Sequence, residues 1–311
     1  MININPIEQT KLFGLDRYID ELINLEKNKK LPNKVLLTGQ KGIGKSTLAY
    51  HFINHSLSKN EQFNYSIKNY QINPKNRTFK TIQNKSNPNF ILLDLDDDKK
   101  FIDIKQVRDL IFTLTKSSFN EKPRYILIDN VESLNKNSIN ALLKIIEEPS
   151  SNTYFFLIND NSKKILPTLS SRCINFKISL PNQKTLEIAN RLLDEKLYEI
   201  INHDLINYYF TPGKIYRLAQ FGKIFDYDLS NLDTKGFLKI FIKNKHYKKS
   251  HEIKNLVFDL VEVYLRTITY NFKSNIFKQS EYLLKRMSDA KRFNLDEESI
   301  FIELDEKMLN G

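Results

Sequence analysis

The 311-residue sequence predicts an α/β domain with a mainly parallel sheet, followed by an all-helical second half. Three observations predict it. Short β-rich runs alternate with segments of helical period through residues 1–178, the pattern of strand–helix–strand crossovers. A glycine-rich stretch joins one such strand to the helix after it. Beyond Leu180-Pro181-Asn182 the strand pattern stops, while apolar residues continue to recur at helical spacing.

The elements follow in order. Residues 35–37 (Val-Leu-Leu) read as a strand, and Leu48, Ala49, Phe52, Ile53 and Leu57 form one apolar face of the helix after it. Residues 90–93 are a second strand. Asp103 and Gln106 stand at capping-box spacing before Ile104, Val107, Leu110, Ile111 and Leu114, which mark a helix. Residues 125–128 are a third strand, 139–148 a helix stopped by Pro149, 154–158 a fourth strand, and 174–178 close the sheet. Residues 58–88, rich in Lys, Asn and Gln and poor in periodic apolar positions, read as an irregular solvated insertion. Helical patterns then cover 185–197, the segment after Pro212, 233–244, 252–272, 275–290 and 295–309, the last opened by Asn294 with Glu297 at capping-box spacing.

The longest apolar runs fall well short of the roughly 20 residues that span a bilayer. The N-terminus has no basic start, apolar core and small-residue cleavage site, so a cytoplasmic address is expected. The single cysteine, Cys173, excludes an intramolecular disulfide and a multi-cysteine zinc site. A net charge of +11 suits a phosphate-bearing partner such as DNA; Lys, Asn and Ile are abundant throughout, and a compositional bias toward them would produce the same charge, so both readings stand. No hydrolase triad emerges. His51, His55, His203, His246 and His251 lack metal-like grouping, and His51 and His55 read as partly exposed residues four apart on one helix. Tyr and Phe follow the apolar faces, which points to core packing rather than base stacking.

Gly39-Gln40-Lys41-Gly42-Ile43-Gly44-Lys45-Ser46 fits G-x-x-x-x-G-K-[ST] between a strand and a helix. Glycines let successive N–H groups turn inward as an anion nest, and the helix dipole reinforces it. Lys45 then neutralises the outer phosphates, and the Ser46 hydroxyl is a Mg²⁺ ligand. With Thr47 these eight residues are the candidate ATP site. Asp129, ending the strand 125–128, is the second Mg²⁺ ligand. The next residue is Asn130, and an amide cannot accept the proton of an attacking water. Glu132, three positions after Asp129, is the alternative base, but the backbone between them need not aim it at the same water, so nucleotide binding is better supported than hydrolysis.

Two longer stretches narrow the class. Residues 137–149, Asn-Ser-Ile-Asn-Ala-Leu-Leu-Lys-Ile-Ile-Glu-Glu-Pro, resemble the N-A-L-L-K-x-x-E-E-P segment of bacterial clamp-loader subunits, and residues 166–173, Leu-Pro-Thr-Leu-Ser-Ser-Arg-Cys, resemble their P-x-x-x-S-R-C motif. Phe293-Asn294-Leu295-Asp296 is similar to the tail of delta-prime subunits. The chain is thus similar to the delta-prime family of DNA polymerase III clamp loaders.

That resemblance implies an AAA+ P-loop domain over 1–178, a helical lid over 179–228 and an all-α C-terminal collar over 229–311. It implies that Arg172 acts in trans as an arginine finger on a neighbour's ATP. Asn159 or Asp160 falls where a polar nucleotide sensor belongs, and Lys214 where a lid cation belongs. Implied partners are the tau/gamma and delta subunits, the sliding clamp indirectly, and primed DNA, with no membrane. Implied cofactors are ATP and Mg²⁺. The family's four-cysteine zinc module has no counterpart here, since no cysteine lies between the P-loop and Asp129. Two alternatives stand beside this reading: a tau/gamma-type motor hydrolysing ATP at its own P-loop, or a free-standing P-loop ATPase.

Overall fold

The computed structural model describes residues 3–95, 99, 101–116, 120–161, 165–206, 208–248, 251–271, 274–293 and 295–309. The chain forms two compact units, Ile2–Lys184 and Thr185–Gly311. The first begins with α1 (Asp16–Lys27), then β1 (Lys34–Thr38), α2 (Lys45–Leu57), α3 (Arg77–Gln83), β2 (Phe90–Leu93), α4 (Ile104–Thr115), β3 (Arg124–Ile128), α5 (Lys136–Glu147), β4 (Thr153–Asn159), a short turn α6 (Pro167–Ser170) and β5 (Ile174–Lys177). The strands form one parallel sheet in the order β2-β3-β4-β1-β5.

A period of two divides each strand between two helical layers. Leu36, Ile126, Ile128, Phe155 and Leu157 join Val107, Leu110, Ile139, Leu142 and Ile146 in the core beneath α4 and α5. Tyr125 and Phe156 point to the other layer, where their rings meet Phe52 of α2. Both faces of the sheet are therefore covered, which is why its central strands are almost wholly apolar. α4 starts as its sequence predicts: the Asp103 side chain accepts from the Lys105 N–H, and the Gln106 side chain accepts from the Asp103 N–H at 2.8 Å.

Two expectations are corrected in this unit. The first concerns residues 58–88, which are not an irregular solvated insertion. Tyr65, Ile72, Phe79 and Ile82 are buried, and the Asn76 side chain, fully buried, caps α3 through the Phe79 N–H while accepting from Asn54 of α2 at 3.0 Å. Isolated polar contacts of this kind have no period, and so left no trace in the apolar pattern. The second concerns His51 and His55, which are buried rather than partly exposed. His51 contacts the Tyr65 hydroxyl at 3.1 Å and the Gln9 carbonyl at 3.2 Å, and His55 lies 3.7 Å from Glu26.

The second unit is helical: α7 (Asn182–Leu193), α8 (Leu197–Ile200), α9 (His203–Ile206), α10 (Pro212–Phe225), α11 (Thr234–Lys243), α12 (His251–Asn271), α13 (Ser274–Phe293) and α14 (Glu298–Leu304). The helix expected over 185–197 starts earlier and breaks after Leu193. An aromatic cluster of Phe221, Phe237, Phe241, His246, Tyr247, Phe258 and Phe301 fills much of its core. The expected cap Asn294 lies outside the described residues; α14 begins at Glu298, whose N–H donates to Asp296. Among the described residues no helix is long and apolar enough to cross a membrane.

Candidate nucleotide site and arginine finger

The P-loop lies where β1 turns into α2, at the C-terminal end of the sheet. Its first glycine is dictated by close approach: a Cβ on Gly39 would stand 2.5 Å from the Ile178 carbonyl oxygen. At Gly44 the requirement is conformational, since a φ of +101° belongs to the left-handed side that side chains avoid. The two glycines bring Lys45 to the first turn of α2. Its ammonium folds back to donate to the Gly39 and Gln40 carbonyls at 2.8 and 2.9 Å. Gln40 and Lys41 are exposed, Ile43 is buried, and Gly42, Ser46 and Thr47 are half-buried.

Burial lowers the Lys45 pKa to about 8, against the opposing pull of Asp160, Asp129 and Glu132. Such a cation has lost hydration without gaining a full counter-charge, so a phosphate beside it is favoured. Asp129 directly follows β3, and its Oδ2 accepts from the Ser46 hydroxyl at 2.6 Å. Burial, and then the negative charge of Asp94, push its pKa up, while Ser46, the Asn130 N–H and Lys45 pull it down. Ser46 and Asp129 are hard oxygen donors in contact beside an under-compensated carboxylate, a donor set that fits Mg²⁺. Among the described residues no group of three or more His, Cys, Asp or Glu side chains is placed to hold a metal by itself.

The residue after Asp129 does no base chemistry. Asn130 adopts a left-handed conformation, φ 55° and ψ 48°, and its amide donates to Asp94 Oδ1 at 2.8 Å. Glu132 follows in a tight turn with Oε2 buried and unpartnered. Burial, followed by the charge of Asp160, raises its pKa to about 7. Asp160 is the alternative sensor position expected from the sequence, whereas Asp94 is a site residue with no sequence motif of its own. Both sit one residue beyond a strand's end, a position that parallel topology gathers at one edge of the sheet. Asn159 pairs in register with Thr38, its carbonyl accepts from the Gly39 N–H at 3.3 Å, and its side-chain amide donates to Asn161. Lys214 belongs to the helical unit, where its ammonium meets Asp259 of α12 at 2.6 Å.

Arg172 occupies a different place. It precedes β5, whose first residue, Ile174, aligns with Val35, so it lies near the start of the strands whereas the P-loop follows their ends. Four residues of strand β1 separate the two levels, roughly 13 Å at about 3.3 Å per residue. The Arg172 side chain is 37% exposed, and its guanidinium is held in place. It donates to the Thr168 carbonyl at 2.7 Å and to Glu147 Oε1 at 2.7 Å, so the two motif-bearing stretches meet at this pair. Cys173 beside it is half-buried, and burial raises its thiol to about 11, far from the thiolate that reactivity needs.

Residues 14–182 match the family described as DNA polymerase III, delta subunit. The chain is 31% identical over 162 residues to the DNA polymerase III subunit delta' of Pseudomonas aeruginosa, covering 51% of this chain and about half, 48%, of that protein. It is 25% identical over 302 residues to the delta' subunit of Buchnera aphidicola subsp. Schizaphis graminum, covering 93% of this chain and 80% of the relative. Among solved structures, a DNA polymerase III gamma subunit-related protein of Thermotoga maritima shares the fold with a TM-score of 0.51 at 16% identity, over 94% of this chain and 99% of that one. With the family match extending over more than half its length and a parallel P-loop sheet beneath it, the chain belongs to the DNA polymerase III delta-prime family of AAA+ clamp-loader proteins.

Proposed function

We propose that the chain is the delta-prime member of a clamp loader: it joins tau/gamma and delta subunits, helps place the sliding clamp on primed DNA in the cytoplasm, and lends Arg172 to a neighbour's ATP. The observation that carries this reading is the separation of Arg172 from the chain's own P-loop. A guanidinium at the start of β5 is on the wrong edge of the sheet to serve the phosphates at the end of β1, yet it is exposed and held in a fixed orientation by Glu147 and Thr168. Its paired donors suit phosphate oxygens, and charge developing on a transferring phosphoryl group is what such a fork stabilises.

The chain's own P-loop holds ATP in this reading. Residues 39–44 and the Thr47 region cradle the phosphates, Lys45 meets them as a cation, and Ser46 and Asp129 hold Mg²⁺. Bound Mg²⁺ supplies charge neutralisation on the phosphates. Asn159, at the end of β4, lies beside the start of the P-loop and senses the nucleotide, and Lys214 is assigned the part of the lid cation. Hydrolysis here is slow, because the Asn130 amide is spent on Asp94 and offers no base. That feature favours the delta-prime reading over a tau/gamma-type motor. Lid and collar are assigned to 179–228 and 229–311.

Co-purification tests membership. A tagged chain is expected to retain gamma/tau and delta subunits through gel filtration. Elution as a free monomer from a mixture in which those subunits assemble with one another would reject the proposal.

A further inference from the structure

Residues 58–88 hold six Lys or Arg and one acid, a net of five in a chain whose total is +11. A tenth of the sequence thus carries nearly half of its net charge. Being folded, the segment presents that charge in a fixed form. On α3, Thr78, Phe79 and Ile82 face inward, which leaves Arg77 and Lys80, three residues apart, on the opposite face. Lys75 just before the helix and Lys85 just after it are also exposed.

The local counter-charge is already committed. Glu61, the segment's one acid, accepts from the Arg77 and Thr78 N–H groups at 2.9 and 3.2 Å and from the Thr78 hydroxyl at 2.5 Å, so it serves the start of α3. None of Lys75, Arg77, Lys80 and Lys85 is ion-paired with an acid among the described residues. The mount is rigid: Asn76 is locked between Asn54, the Phe63 carbonyl and the Phe79 N–H, and Tyr65 is clamped against His51.

We infer that the ridge formed by Lys75, Arg77, Lys80 and Lys85 is a binding surface for the phosphate backbone of double-stranded DNA. The choice of DNA rests on the clamp-loader reading; the choice of duplex rests on the aromatics. A single-strand site stacks bases on exposed rings. Here Tyr65 and Phe79 are buried, Tyr70 donates to Asp20 at 2.8 Å, and the Phe63 ring lies under the Lys75 ammonium at 5.8 Å. No ring of the segment is free to stack, so contact is with phosphates alone and carries no sequence preference.

Fluorescence anisotropy of the full chain with a labelled duplex, between about 50 and 200 mM salt, tests it. Each neutralised phosphate contributes about 0.9 to the slope of log affinity against log salt. The fourfold variant K75Q/R77Q/K80Q/K85Q is expected to lose about 3 to 4 of that slope and to bind at least tenfold more weakly at the lower salt. It should keep its Tm, because the buried anchors are untouched, and should still co-purify with loader subunits, which separates this test from that of the clamp-loader reading. The control K235Q/K239Q/K243Q, on the exposed side of α11, is expected to keep the wild-type slope. An unchanged slope in the fourfold variant, an equal loss in the control, absence of duplex binding by the wild-type chain, or a loss seen only with single strands would each overturn the inference.

Discussion

Replacing Arg172 by alanine is expected to lower the DNA-stimulated ATPase of a reconstituted clamp loader by about three orders of magnitude, the range over which an arginine finger acts. The same change should scarcely affect the chain's own stability. Its ion pair with Glu147 is solvent-accessible on both sides, at 37% and 48% exposure, and such pairs contribute no more than about 1 kcal/mol. That contrast between rate and stability separates a finger from a structural ion pair. Arg172→Lys should recover only part of the rate, because a single ammonium cannot keep the Glu147 and Thr168 contacts and also offer a planar fork to phosphate. Loaders carrying the alanine variant at full speed would remove the function assigned to this residue.

Acid should weaken the first unit through His51. This imidazole is fully buried, and burial lowers its pKa from 6.5 to about 3, with the Gln9 carbonyl pulling the other way. The folded pKa lies below the unfolded one, so between pH 6.5 and about 3 the unfolded chain holds a proton that the folded chain refuses. Stability from this group is therefore intact above 6.5 and is lost as pH falls, by roughly 1.4 kcal/mol per pH unit. Asp129 and Glu132 oppose this, since their raised pKa values relieve a buried charge on acidification. The comparison to make is between wild type and His51→Gln, which keeps a hydrogen-bonding side chain at the site. Urea unfolding at pH 7, 6, 5 and 4 is expected to show a flatter acid profile in the variant. Parallel profiles would mean that His51 is not the group responsible.

The sheet strands were legible because burial on both faces leaves short continuous apolar runs, and the P-loop because its chemistry needs glycine at fixed intervals. Asp129 was legible through the hydrophobic strand before it. The fold of residues 58–88 was not, for its anchors are single contacts made by Asn54, Asn76, His51 and Tyr65 across long sequence separations. α1 was also missed. Its inward face, Tyr18, Ile19, Leu22 and Ile23, does have helical spacing, but it is short and set in a strongly charged segment. Asp94 became a site residue only when parallel pairing set the end of β2 beside β3, and so beside the P-loop. The Glu147–Arg172 pair likewise joins motifs that are distant in sequence. The pairing of Lys214 with Asp259 could not be read from the residues around either side chain.

The central claim is that this chain contributes to ATP turnover in trans rather than at its own P-loop. The measurement that tests it most directly is DNA-stimulated ATPase in loaders assembled with this chain as Lys45→Ala and with motor subunits whose P-loops are intact. Turnover should stay within about twofold of wild type, since the slowed site is not the one that cycles. A loss as deep as that caused by Arg172→Ala, about a thousandfold, would show that the chain's own P-loop is the working site and would contradict the account.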